Sequence, residues 1–174
     1  MDAASESIDR RAALRVGAAI VLGAPLLALL GACAPAGPRP IAYGHDSCAF
    51  CRMTVSDSRY GAELVTAKGR VQTFDSIECL ASACIAARGR GESAPRALQV
   101  TDVRRPGTLI DAADARFTRI TGPGSPMGKG LAAYSSGSDA PAGGVPLSWT
   151  QVLAMVEREG LSQGIGAGPS DAPR

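Results

Sequence analysis

Between residues 45 and 53 the chain reads His45-Asp46-Ser47-Cys48-Ala49-Phe50-Cys51-Arg52-Met53. An imidazole, two thiols and a thioether fall within one short stretch. The Cys48-x-x-Cys51 spacing is that of a metal knuckle or a redox pair. Met53 shifts the balance, because a thioether is a poor ligand for zinc and a good one for Cu(I). In an extended loop, a Met two residues past the second Cys can turn its sulfur toward the same ion. Further on, Ser125-Pro126-Met127-Gly128 sets another methionine between turn residues instead of on an apolar periodic face. A loop Met flanked by Gly and Pro is harder to explain as core than one on a helix stripe. Met155 falls inside a helical pattern and reads as ordinary packing. The candidate ligands are therefore Cys48, Cys51, Met53 and Met127, with His45 a further candidate by proximity.

The elements that must position these residues are legible around them. Tyr60 to Ala67 (YGAELVTA) is strand-like, Lys68-Gly69 is a turn signal, and Arg70 to Phe74 is a second short strand. Together they predict a hairpin. Asp75 reads as the N-cap of a helix, with Glu78 completing a capping box. Ile77, Leu80, Ala81, Cys84 and Ile85 follow as one apolar stripe, and Gly89 and Gly91 end the helix. Cys84 on that stripe reads as core. Cys79 lies off it. Ala97 to Val103 is a further strand candidate.

The same order recurs after Met127. GLAAYSS and a Gly/Pro/Ser-rich stretch lead to Leu147-Ser148-Trp149, where Ser148 and Gln151 form a second capping pair. Phe117 to Thr121 (FTRIT) opens this second half. The expected fold class is α+β, with two small ββαβ units related by a weak internal repeat. They are expected at residues 45–104 and 105–161, packed together, with 162–174 a disordered tail. In the repeat, Cys79 aligns with Val152, which favours a buried structural thiol.

Composition removes other classes. The net charge of +2, from 18 basic and 16 acidic residues, is too balanced for a nucleic-acid binder. With a single histidine, no site built on two or more histidines is possible. No paired acid/base constellation and no GxxxxGK[ST] loop is present, so nothing suggests an enzyme.

The N-terminus reads as an address. Arg10, Arg11 and Arg15 precede an apolar run from Val16 to Leu30, then Gly31 and Ala32. That is the plan of a secretory signal peptide, too short to span a bilayer and interrupted by Pro25. Leu30-Gly31-Ala32-Cys33 resembles a bacterial lipobox, which implies cleavage after residue 32 and lipid on Cys33. The mature chain is then exported and anchored to a membrane, facing the periplasm or cell exterior. Residues 33–44, with three prolines, read as a flexible tether.

Taken together, CAFCRMTVSDSRYGAELVTAKGRVQTFDSIECL, the later SPMGKGLAAY and the lipobox resemble the nitrous oxide reductase accessory lipoproteins, NosL. The specific parts are Cys48-x-x-Cys51-x-Met53, Phe74-Asp75-Ser76-x-x-Cys79 and Pro126-Met127-Gly128. The resemblance implies an extracytoplasmic Cu(I) chaperone that supplies the copper centre of nitrous oxide reductase. It also implies that enzyme and its membrane transporter complex as partners, and two units distantly like treble clefs. In a treble clef the start of the helix after the knuckle supplies ligands, which adds Cys79 to the candidates. A cleft between the halves, or a homodimer, would bring Met127 to Met53.

Two other functions compete. Cys48, Cys51, Cys79 and His45 suffice for a zinc-stabilised binding module. Cys48 and Cys51 alone suffice for a thiol–disulfide oxidoreductase, although a redox CxxC normally opens a helix and this one precedes a hairpin. A plain Cys48–Cys51 disulfide would leave Met53 without a role.

Mass spectrometry of the membrane fraction should find a chain beginning at lipid-modified Cys33, and Cys33→Ser should abolish the modification. An unmodified chain retaining residues 1–32 would contradict the lipobox reading.

Overall fold

The computed structural model describes residues 37–120, 125–137 and 144–160. The signal segment, Cys33 and the tail expected at 162–174 lie outside the described residues. Described elements run β1 (Ala62–Val65), β2 (Val71–Phe74), α1 (Ile77–Gly89), β3 (Ala97–Thr101), β4 (Leu109–Asp111), β5 (Arg116–Arg119), β6 (Leu131–Tyr134) and α2 (Trp149–Glu159). The α+β class holds.

The hairpin forms as expected. β1 pairs antiparallel with β2 in the register Leu64↔Gln72, and with β3 in the register Leu64↔Leu98. β1 is thus an inner strand, and all four of its residues are buried, Glu63 included. Gly69, at φ 84°, makes the turn, and Thr66 closes it by accepting from the Arg70 N–H on its side chain. The four-stranded sheet has the order β2-β1-β3-β4. β4 lies beyond residue 104, the boundary expected between the units, and joins the first sheet through Val100↔Ile110. Three residues are too few to show a strand period.

α1 starts one residue later than the sequence suggests. Ser76 is the N-cap, extended at φ −153°, and its side chain accepts from Cys79 N–H. Asp75 is not the cap, and Glu78 makes no capping box. Residues Ile77 to Ala81 are all buried, so the first turn of α1 lies inside the molecule. There Glu78, fully buried, turns away from the helix end. Its Oε1 accepts from the Ser125 hydroxyl and from Leu131 N–H. That carboxylate ties α1 to the loop of the second half that carries Met127.

The second half is ββα among the described residues. β5 and β6 form a two-stranded sheet, joined to the first by a bridge between Asp102 and Ala133. α2 carries the expected Ser148–Gln151 capping box and buries Val152, Met155 and Val156. Trp149 packs on Phe117 with ring centroids 5.7 Å apart. Phe74, Leu80, Phe117, Leu131 and Val152 belong to one core, so the halves share their burial.

The body also begins before His45. Ile41 is buried, Tyr43 hydrogen-bonds Thr101, and Arg39 N–H donates to Glu63 while its guanidinium grips Asp46. Residues 39–44, expected to be tether, are docked chain. Their prolines and glycines concealed one apolar and one aromatic anchor.

Gly130 sits at φ 71°, and a Cβ there would lie 2.5 Å from the Ile120 carbonyl oxygen. Gly128, at φ 74°, has open space. In urea unfolding, Gly128→Ala should cost roughly 1–2 kcal/mol from backbone conformation alone. Gly130→Ala should cost clearly more, because a backbone atom cannot swing aside. Equal losses would show that the close approach is not real.

Candidate metal site

The site is assembled from a knuckle, a hairpin and the start of α1. Cys48 N–H donates to Met53 O and Arg52 N–H to Cys48 O, folding the segment into a tight turn flanked by a Ser47↔Thr54 bridge. Arg52 takes the left-handed conformation at φ 69°. The turn lets the Phe50 and Cys51 N–H groups point at Cys48 Sγ. The knuckle is fastened to β2 twice, by Ala49 N–H to Thr73 O (2.8 Å) and by Thr73 Oγ1 to Ser47 O (3.2 Å). Just past β2, the backbone of Asp75 lies beside the same Cys48 sulfur.

Cys79 arrives from the other side, in the capped first turn of α1. The Sγ atoms of Cys48, Cys51 and Cys79 all lie within 4.8 Å of one another, and all three residues are free thiols. Cys48 and Cys79 are fully buried, and Cys51 is half-buried. On the knuckle side a shallow cleft of about 420 Å³ is lined by Cys48, Arg52, Arg70 and Thr73.

The electrostatics are unequal. The hydrogen bond from Cys79, helped by the backbone N–H groups of Asp75, Cys51 and Phe50, pulls the Cys48 thiol down to about 5. Cys79 is pushed up, first by that hydrogen bond and then by burial. Burial also raises Cys51, with the neighbouring Cys48 sulfur adding to it. Cys48 is therefore the thiol most inclined to ionise, and a soft cation displaces the remaining protons as it binds. Asp75 stands beside it with its carboxyl pushed up, chiefly by burial, and its Oδ1 has no partner.

His45 is not part of this cluster, and the two methionines lie two residues past Cys51 and in a separate turn. Met53 is 55% exposed, two residues from Cys51. His45 is exposed in the turn that precedes the knuckle. Met127 is half-buried against the core, in the turn closed by Gly128 N–H to Ser125 O, whose Ser125 side chain is bound to Glu78 next to Cys79. Cys84 is half-buried on α1 and outside the cluster, and burial lifts its thiol to about 11. With the cap at Ser76, Cys79 aligns with Gln151 in the second helix, not with Val152. The repeat therefore no longer favours a purely structural thiol. Asp75, Ser76 and Glu78 are structural parts of the site that local pattern misassigned.

A non-glycine residue in the left-handed region costs about 1–2 kcal/mol. Arg52→Gly should therefore leave the stability of the reduced, metal-free protein within about 1 kcal/mol of wild type, the relief offsetting glycine's chain entropy. Arg52→Val should cost about 2 kcal/mol, since β-branched residues are outliers there. Urea midpoints of both variants check this.

Comparison with known proteins fits this geometry. No protein of curated function matches the chain. Among solved structures, the crystal structure of the copper chaperone NosL from Shewanella denitrificans has a similar fold. It superposes with a TM-score of 0.54 at 22% identity, covering 68% of this chain and 96% of that one. The family model NosL matches residues 41–142, a span that holds the knuckle, the hairpin, α1 and the Met127 loop. With more than half of its length matched, the chain belongs to the NosL family.

Proposed function

We propose that the protein is a lipid-anchored Cu(I) chaperone that delivers copper for assembly of nitrous oxide reductase. The observation that carries this reading is the convergence of three thiol sulfurs, from the knuckle and from α1, within 4.8 Å. Thiolates and thioethers are the donors that select Cu(I). Cys48, Cys51 and Cys79 hold the ion from inside. Met53, exposed beside them, is the outermost sulfur and the natural first or last contact of an ion in transit. Met127 is the second thioether, held near α1 by the Ser125–Glu78 hydrogen bond. His45 is a further donor from the same loop. Cu(I) accepts two to four soft ligands, so the site binds firmly and still admits an incoming ligand before an old one leaves. Delivery makes and breaks only metal–ligand bonds, so the protein is no enzyme.

The remaining parts follow from the family and the N-terminal pattern. Lipid on Cys33 anchors the body to a bacterial membrane, facing the periplasm or the cell exterior. No helix among the described residues is long and apolar enough to cross a membrane. Nitrous oxide reductase and its membrane transporter complex are the partners. A homodimer is a second way to bring Met127 to a shared ion.

A zinc reading has one observation in its favour. Cys48 and Cys79 are fully buried, as ligands of a closed structural site would be. Protein purified under reducing conditions without added metal separates the two. One Cu(I) per chain, removable by a soft chelator with the fold intact, is the expected result. Tightly held zinc, without which the chain unfolds, would favour the structural module.

Cu(I) titration in competition with a chelator should assign the ligands. Cys51→Ser and Cys79→Ser should lower affinity by more than the 10–100-fold that outer partners of a metal site are typically worth. Cys84→Ser should leave affinity unchanged and cost about 1 kcal/mol of stability, for a buried hydroxyl. Met127→Leu keeps volume and apolar character, so the fold should persist at a cost below about 1.5 kcal/mol. Its copper-edge X-ray absorption should lose sulfur scattering. Unchanged affinity and coordination would make Met127 a packing residue.

A further inference from the structure

A second cleft, of about 740 Å³, opens between α1, the sheet and α2. Its lining is apolar at Phe50, Leu98, Trp149 and Leu153, and Cys84 faces it from α1. The knuckle forms one of its walls, through Ala49, Phe50 and Arg52. Four arginines line it, against a single acid, Glu92. Arg90 pairs with Glu92 and Arg88 with Glu157 on α2. Arg52 and Arg70 have no ion pair among the described residues. These two also line the small cleft at Cys48, so uncompensated positive charge sits where both clefts meet.

We infer that the larger cleft is the docking surface for an acidic segment of the copper-accepting protein. An apolar side chain of that segment seats between α1 and α2, and its carboxylates lie against Arg52 and Arg70. The inference rests on the delivery reading above. Transfer by ligand exchange requires the acceptor's donor atom to reach the ion while it is still held. The docking surface must therefore adjoin the thiol cluster, and this cleft shares the knuckle with it. An apolar recess rimmed by one sign of charge is a common form of such a surface: the recess supplies binding, and the charge supplies encounter rate and orientation. A concave recess suits the ridge of a folded segment better than a flat lipid surface.

The test uses the full-length, Cu(I)-loaded protein with two acceptors. One is apo nitrous oxide reductase together with its membrane transporter complex, and the other is a small soluble chelator that needs no docking. Arg70→Glu reverses a charge on an exposed hairpin residue, and Ala87→Glu puts an acid on the cleft wall with a helix-favouring residue. Neither belongs to the thiol cluster. Chelator competition should give wild-type Cu(I) affinity for both variants. Transfer to the reductase should slow about tenfold or more at low salt, and the difference should shrink near 1 M salt, where screening reaches about 3 Å. Arg70→Lys should restore the rate. Wild-type transfer rates and salt dependence in both variants would overturn the docking surface and leave delivery standing. Should Ala87→Glu prove unfolded by circular dichroism, Arg70→Glu alone decides. If the wild type yields copper to the chelator and never to the reductase, the delivery reading itself falls. Loss of binding to anionic vesicles in Arg70→Glu, with transfer unaffected, would assign the surface to lipid and overturn the inference.

Discussion

The first turn of α1 is buried from Ile77 to Ala81, and that constraint organises the molecule. A helix start has N–H groups with no partner inside the helix, and away from water each must find one. Ser76 takes Cys79 N–H, and just ahead of the cap the backbone of Asp75 lies beside the sulfur of Cys48. The solution that satisfies the backbone therefore also delivers Cys79 and Cys48 to the same place. Glu78 is enclosed by the same burial, and the second half of the chain supplies its donors from Ser125 and Leu131. Core packing, helix capping and thiol convergence are three consequences of one docking event.

The thiol cluster combines rigidity with access. Its inner members sit on elements that cannot move separately. Cys79 is on a buried turn, and Cys48 is held by backbone donors from both the knuckle and the end of β2. Cys51 and then Met53 lead outward, from half-buried to exposed. Exposure thus rises along the knuckle, so soft donors continue from the interior to the surface.

The same economy extends to the surface. The knuckle that holds two of the thiols is also a wall of both clefts, and Arg52 and Arg70 border each. A residue that docks there is beside the knuckle that carries two of the thiols. β4 extends the sheet beyond β3, and the docked segment 39–44 covers it, with the Arg39 N–H bound to Glu63 of the inner strand β1.

Residue type and local spacing determined a good deal by themselves. The Cys48-x-x-Cys51-x-Met53 cluster, the hairpin around Gly69, both helices and the Ser148–Gln151 cap are all encoded within a few residues, where periodicity and turn chemistry act. Ser76 was hidden by its neighbour, because Asp75 and Ser76 are both good caps and only the backbone angles choose between them. Cys79 was legible as a candidate beside Cys48 only through the resemblance, and the repeat alignment built on the wrong cap argued against it. Glu78 looked like a capping residue, and its partners lie beyond Tyr60 to Ala97, in another part of the chain. Ile41, Tyr43 and β4 were missed because their stability comes from the surfaces they meet, not from any pattern of their own. Only the tertiary structure decided which sulfurs meet, because that depends on how a buried helix end is satisfied by segments far away in sequence.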